Sequence, residues 1–273
     1  MIIKNTLNYL FERFQIHYLL PLIILSNLGL SAISQYSDNH VFLYKIFALN
    51  IFQYWIIRVV DEIFDFEHDR IFYPNRPTVR GEISIQWLVY SLFLGAFIFC
   101  VVFYNQINTL LPVLLILSMY CVINKKYEKF LLERIGFIAT NLVSLISSVI
   151  IISSTIYMWS LNGDVFNAPN IIKYTALTIS GTLLLEFSRK ISRKNSDNYI
   201  SHLGINAFWN IILILSLVIC LMIKTHWAIV LGALSIIQRF AFPRLFHKHK
   251  YSIIQGSVYL IYATALWLFS LFV

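Results

Sequence analysis

Charge is scarce in this chain, and acidic charge is scarcer still. Of 273 residues, 12% are charged and 59% hydrophobic, and the mean hydropathy is +0.73. A soluble domain carries about twice that charged fraction. A water-soluble fold is therefore excluded, and no large soluble domain fits beside the apolar runs. Cysteine is nearly missing. Cys100, Cys121 and Cys220 stand alone in apolar runs, which suggests neither a disulfide framework nor a cysteine metal site. The first residues lack a compact basic region with a small-residue cleavage site after it, so no cleavable signal is expected. Lys and Arg number 21 against 13 Asp and Glu, a net charge of +8. That excess is spread over the segments between apolar runs, so membrane topology accounts for it and no nucleic-acid partner is expected.

What is present is a series of apolar runs. Spans are predicted at 17–34, 41–67, 84–104, 107–124, 135–158, 170–190, 204–223, 226–240 and 252–273, each near the length needed to cross a hydrocarbon core. The breaks at Asn105-Gln106 and near Lys224-Thr225-His226 are the slightest; either is compatible with one long helix. Residues 159–169, rich in Asn, Gly and Pro, form a loop. Residues 1–16 are too polar to span. Ile3, Leu7, Leu10 and Phe14 recur at helical spacing, which predicts an amphipathic helix lying in the interface. The fold class is thus an all-α polytopic membrane protein, a single domain over 1–273. It has about nine transmembrane helices in a bundle around a central cavity.

The basic residues orient this bundle. With alternating spans, one side receives 1–16, 68–83, 125–134, 191–203 and 241–251 plus the adjoining helix ends, and with them seventeen of the 21 Lys and Arg. The positive-inside rule makes that side cytoplasmic, with the N-terminus inside. An integral, multi-pass protein of the cell (inner) membrane is expected, in contact with the lipid bilayer.

The few acids are concentrated. Five of the 13 lie between positions 61 and 69, at the end of the second span: Asp61, Glu62, Asp65, Glu67 and Asp69. Asp61, Asp65 and Asp69 recur every four residues, which stacks them along a helix. Like charges so placed repel, so cations have to hold them, and Mg²⁺ is the natural one for carboxylate oxygens. A second intramembrane acid, Glu186, stands near the end of the sixth span and leads into Arg189 and Lys190. Ionisable groups at membrane depth are costly and usually face a cavity. A local Glu186–Lys190 pair is the plainer account of that residue. The two acidic stretches lie 125 residues apart, each running from acid into a basic loop, a weak internal repeat of four spans.

The basic segments supply counter-charge. Arg76 and Arg80 follow the first acidic stretch; Lys125, Lys126, Lys129 and Arg134 follow the fourth span; Arg189, Lys190, Arg193 and Lys194 follow Glu186. Carboxylates that hold Mg²⁺ beside guanidinium and ammonium groups make a diphosphate site. A diphosphate head inside an apolar bundle implies an isoprenoid tail between helices. An aromatic content of 16% suits that tail and any carbocation derived from it, although most of these rings serve packing and interface belts.

The pattern Asp61-Glu62-x-x-Asp65-x-x-x-Asp69, then Asn75-Arg76-Pro77 and Gly81-Glu82-Ile83-Ser84, resembles the first signature of the UbiA superfamily of intramembrane prenyltransferases. Tyr120 followed by Lys125-Lys126 is similar to that family's tyrosine and basic pair, and the nine spans agree. The family usually has Asn-Asp where this chain has Asp61-Glu62, and an Asp-rich second signature where it has Glu186-x-x-Arg189-Lys190. The resemblance implies Mg²⁺-dependent ionisation of a prenyl diphosphate. Carried over by position, it implies metal ligands at Glu62, Asp65, Asp69 and Glu186, with Asp61 in place of the family's Asn adding a further one. Asp61, Asp65 and Glu186 would be the catalytic carboxylates. Arg76, Lys126, Arg189 and Lys190 would neutralise the leaving diphosphate, with Lys125 and Arg193 beside them.

The partners expected are a prenyl diphosphate and a lipophilic or small-molecule acceptor. A membrane terpene cyclase of the same superfamily, which needs no acceptor, is the alternative. A cation transporter would spread its acids along a path across the membrane, whereas here they cluster on one side. A phosphoalcohol transferase would show Asp-Gly and Ala-Arg elements, which residues 61–84 lack.

Overall fold

The computed structural model describes residues 2–13, 16–33, 40–161, 166–191, 205–222, 230, 232–236 and 260–269. Nearly all of them are helical: α1 (Ile2–Glu12), α2 (Ile16–Ile33), α3 (His40–Phe72), α4 (Ile85–Val102), α5 (Ile107–Ser144), α6 (Ile146–Leu161), α7 (Ala168–Ile191) and α8 (Ile205–Met222). Three stretches are long and apolar enough to cross a bilayer, Leu43–Phe72, Ile85–Val102 and Tyr104–Tyr127. Shorter apolar helices lie at Leu19–Ile33, Ile146–Leu161, Asn210–Leu221 and Leu260–Phe269. The chain is an all-α integral membrane protein. Its residues fall into two compact units, Met1–Ile23 with Asn39–Asn162, and Ile24–Asp38 with Gly163–Val273.

The first unit is built on α3. α4 packs along it through stacked Phe52 and Phe99, 5.4 Å between centroids, and a Trp55 Nε1 to Ser91 Oγ hydrogen bond of 3.1 Å. The other side of α4 is apolar and bare, with Phe93 70% and Phe97 68% exposed, a surface suited to lipid tails rather than water. A 3₁₀ turn at Tyr104–Gln106 separates α4 from α5, where Asn105-Gln106 predicts a break.

α6 runs antiparallel to α3, with Gln53 Nε2 donating to Ser154 Oγ at 2.7 Å and Thr155 Oγ1 to Asn50 Oδ1 at 2.8 Å. These interhelical bonds satisfy polar groups that lipid cannot. Val60 of α3, Leu117 and Cys121 of α5, and Ile151 of α6 form one buried cluster.

That cluster fixes the shape of α5. A straight helix from Cys121 to Ser144 would run about 34 Å, and the few residues from there to Ile151 cannot return that distance. α5 therefore bends back within 122–144, a stretch with one glycine, Gly136, and no proline. Two expectations change here. Residues 125–134 are helix instead of loop, and the predicted span 135–158 is divided at Leu145 between α5 and α6. The reason is local. Lys125–Arg134 is made of Lys, Glu, Leu, Arg and aromatics, whose charge reads as a loop but whose helix propensity is high. The reversal itself falls where the topology requires it.

In the second unit α7 packs against α8. Tyr174 is fully buried and shares a 2.5 Å hydrogen bond with Ser26 of α2. Gly181 lies against Tyr262; a Cβ there would come within 2.0 Å of the ring, so only glycine admits it. The predicted spans 226–240 and 252–273 fall largely outside the described residues, as does the break near Lys224.

Candidate functional site

The acidic stretch lies on the last turns of α3 and continues into a tight turn. Arg80 N bonds Arg76 O at 2.9 Å, Glu82 N bonds Pro77 O at 2.9 Å, and Gly81 N bonds Thr78 O at 3.3 Å. Gly81 closes this turn at φ 74°, a left-handed conformation costly to other residues. Ser84 then caps α4, its side chain accepting from Trp87 N at 3.1 Å. The Gly-x-Ile-Ser element thus ends one turn and starts the next helix.

α3 divides the acids between two sides. At about 100° per residue, Asp65 is displaced about 40° from Asp61, and Asp69 about 80°, close to the roughly 100° of Glu62. The even stacking of Asp61, Asp65 and Asp69 accordingly becomes two pairs. Asp61 and Asp65 share Lys125, whose Nζ lies 3.2 Å from Asp61 Oδ1 and 3.4 Å from both Asp65 oxygens. Both carboxylates are partly open, with side-chain exposures of 23% and 37%.

Glu62 and Asp69 are closed off. Arg13, just after α1, places Nε 2.6 Å from Glu62 Oε1 and Nη2 3.4 Å from Asp69 Oδ2. Arg58 also bonds Glu62 Oε1, and Thr78 Oγ1 donates to Oε2 at 2.9 Å. Asp69 is ion-paired to Arg76, whose guanidinium lies 4.2 Å over the Tyr73 ring. Burial pushes the Arg13 guanidinium down to about 10, the Arg58 charge adding to this while Glu62 opposes it. It stays charged at neutral pH.

The balance differs between sides. Among the described residues three arginines face Glu62 and Asp69. Among the same residues one lysine faces Asp61 and Asp65, and Arg58, shared with Glu62, lies 3.8 Å from Asp61. Lys125 already shows that a cation is held between these two carboxylates. Among the described residues no group of three or more His, Cys, Asp or Glu side chains is arranged to hold a metal ion. Two carboxylates still suit Mg²⁺, which binds through one or two of them and completes its shell with water and phosphate oxygens.

The other predicted residues are placed as follows. Lys126 is exposed, its Nζ 5.8 Å over the Tyr127 ring. Tyr54 and Tyr120 pack against the Val60–Leu117–Cys121–Ile151 cluster, within two turns of Asp61 and Lys125. Glu186, Arg189 and Lys190 lie in the last turns of α7, in the second unit. Arg193 falls outside the described residues. Three residues at the site carry no predicted role, Arg13, Arg58 and Thr78. An arginine inside an apolar span needs an acid partner, and Glu62 four residues on is that signal.

The fold is similar to that of a solved structure of digeranylgeranylglyceryl phosphate synthase in membranes, at 16% identity and a TM-score of 0.56 over 98% of each chain. No family model matches the sequence, and no curated protein matches it. At this identity the likeness speaks for the fold.

Proposed function

We propose that this chain is a Mg²⁺-dependent intramembrane prenyltransferase. It ionises an isoprenoid diphosphate and transfers the prenyl group to a lipophilic or small-molecule acceptor. The observation that carries this is the half-open pair Asp61 and Asp65 around Lys125, at the end of a membrane-long helix. The similar fold of digeranylgeranylglyceryl phosphate synthase supports it, as does the resemblance of residues 61–84 to the UbiA signature.

In this reading Asp61 and Asp65 would hold the cation, and Glu186 is the further carboxylate that the resemblance implies. The cation, when bound, offsets charge on the diphosphate as it leaves. Lys125 and Lys126 take phosphate oxygens, joined by Arg189, Lys190 and Arg193. Lys125 then moves from bridging two carboxylates to neutralising the leaving group, a change of partner that keeps its charge paired. Tyr54 and Tyr120 line the approach of the prenyl chain, and their rings favour developing positive charge. Glu62, Asp69 and Arg76 have their polar atoms engaged with one another's neighbours, and they support the site instead of binding its ligands. The N-terminus and the acidic stretch face the cytoplasm, as the basic segments imply.

The test is incubation of purified protein with Mg²⁺ and labelled prenyl diphosphates of increasing length, with and without membrane extract. Product only with extract is expected. Product without extract would indicate cyclisation or hydrolysis. No metal-dependent consumption of any diphosphate would sink the proposal.

A further inference from the structure

We infer that Arg13 is a positioning residue for the acidic stretch, and that α1 is the clasp that carries it. This rests on the reading of Asp61 and Asp65 as the metal-binding pair.

One face of α1 repeats every four residues as Asn5, Tyr9 and Arg13, and each member grips the α3–α4 region. Asn5 Nδ2 donates to Glu82 O at 3.1 Å. Tyr9 is fully buried in a cluster with Val59, Ile83 and Leu88, its ring edge-on to Trp55 at 6.0 Å and 84°. Arg13 follows with one guanidinium shared by Glu62 and Asp69. Arg80 adds a contact to Glu12 at 3.5 Å. The helix is therefore docked along its length, and its charged end meets the acids.

Glu62 and Asp69 are seven residues apart, two turns of α3 on nearly one azimuth. Fixing both fixes the rotation of the helix between them. Asp61 adjoins the first anchor, and Asp65 lies between the two. Any rotation of α3 that turns Asp61 and Asp65 away from Lys125 pulls Glu62 and Asp69 off Arg13. The guanidinium suits this because its planar fork reaches two acceptors at once, which an ammonium cannot do in the same geometry. Arg13 is itself nearly closed off, with 11% side-chain exposure, and both its recorded ion-pair partners are carboxylates. It acts through them and touches no ligand.

The test compares wild type, Arg13→Gln, Arg13→Lys and the double variant Arg13→Gln/Glu62→Gln in detergent. The double variant removes one charge of each sign and so keeps the net charge of the cluster, with Arg58 still beside Asp61. Metal binding is read without turnover, by titrating Mn²⁺ in the presence of inorganic pyrophosphate and following thermal unfolding. Turnover and its Mg²⁺ dependence are read in parallel. The expected result is a Mn²⁺ constant weakened about tenfold or more in Arg13→Gln and in the double variant, the range seen when support around a metal site is lost. Arg13→Lys should fall between. A merely structural residue would lower the melting temperature equally with and without metal and leave the constant unchanged. That result in any folded variant overturns the inference, as does failure of all three to fold. Wild type that binds no Mn²⁺ overturns the reading of Asp61 and Asp65, and this inference with it.

Discussion

The two sides of α3 carry acids of the same kind to opposite ends. On one side Glu62 and Asp69 meet three arginines and a threonine and are sealed from solvent. On the other, among the described residues, Asp61 and Asp65 meet one lysine and the more distant Arg58 and stay partly open. Buried ion clusters rarely add net stability, but breaking one leaves an uncompensated charge and is costly. The sealed side is thus suited to holding geometry. A half-open pair with fewer cationic partners among the described residues is suited to recruiting a cation. Within nine residues of one helix, partner count and exposure separate support from chemistry.

The comparison breaks most sharply at Asp65. Asp65→Asn should lower turnover at least about a hundredfold while the protein remains folded and monodisperse in detergent. Full activity in that variant, or in excess chelator, would mean the open side holds no metal. On the sealed side Glu62→Ala should do the reverse in kind. It strands Arg13 and Arg58 and should cost about 3–5 kcal/mol of stability, seen as a lowered thermal midpoint even without metal. A loss below about 1 kcal/mol would show that water already compensates those arginines.

Glu186→Gln sharpens the contrast by asking whether turnover needs a carboxylate beyond those of α3. An amide is a poor Mg²⁺ ligand, so most turnover should go while the fold survives. Near-normal rates would reduce Glu186 to a helix-end partner of Lys190. The smallest effect is expected at Gly81→Ala. No atom lies within 4 Å of the added Cβ, so the cost is backbone alone, about 1–2 kcal/mol. A neutral result would show that the turn relaxes out of its left-handed conformation.

Much of this was legible in the chain itself. The predicted spans 17–34, 41–67, 84–104, 170–190 and 204–223 lie close to α2, α3, α4, α7 and α8, because long, mostly apolar runs leave little choice in a bilayer. The site turn was legible too, since Pro77, Gly81 and Ser84 each have a backbone role that few other residues fill. The misreadings have physical causes. Spacing of four suggests a stack, but the helix repeats every 3.6 residues, and over eight residues the drift carries Asp69 round to Glu62. For α1, the apolar stripe Ile3, Leu7, Leu10 and Phe14 marks a face for the bilayer interface and says nothing of Tyr9, which is buried while Leu7 and Phe11 are about half exposed. A helix at a bilayer surface has lipid as a second apolar partner, so periodicity alone does not say which stripe meets protein. Phe14 lies outside the described residues.

The clasp between α1 and α3 also has a consequence in time. Arg13 and Glu62 are separated by 49 residues, so synthesis delivers the arginine long before its acid. Until the end of α3 emerges, Arg13 has neither of its carboxylates and has to wait where water or lipid headgroups can solvate it. Protection of the α1–α2 junction from protease should therefore appear only in nascent chains that extend past Arg76. A site whose anchor is made first and whose anchored helix arrives last assembles from its rim inward, and its correct closure certifies that the first two spans have been inserted in order.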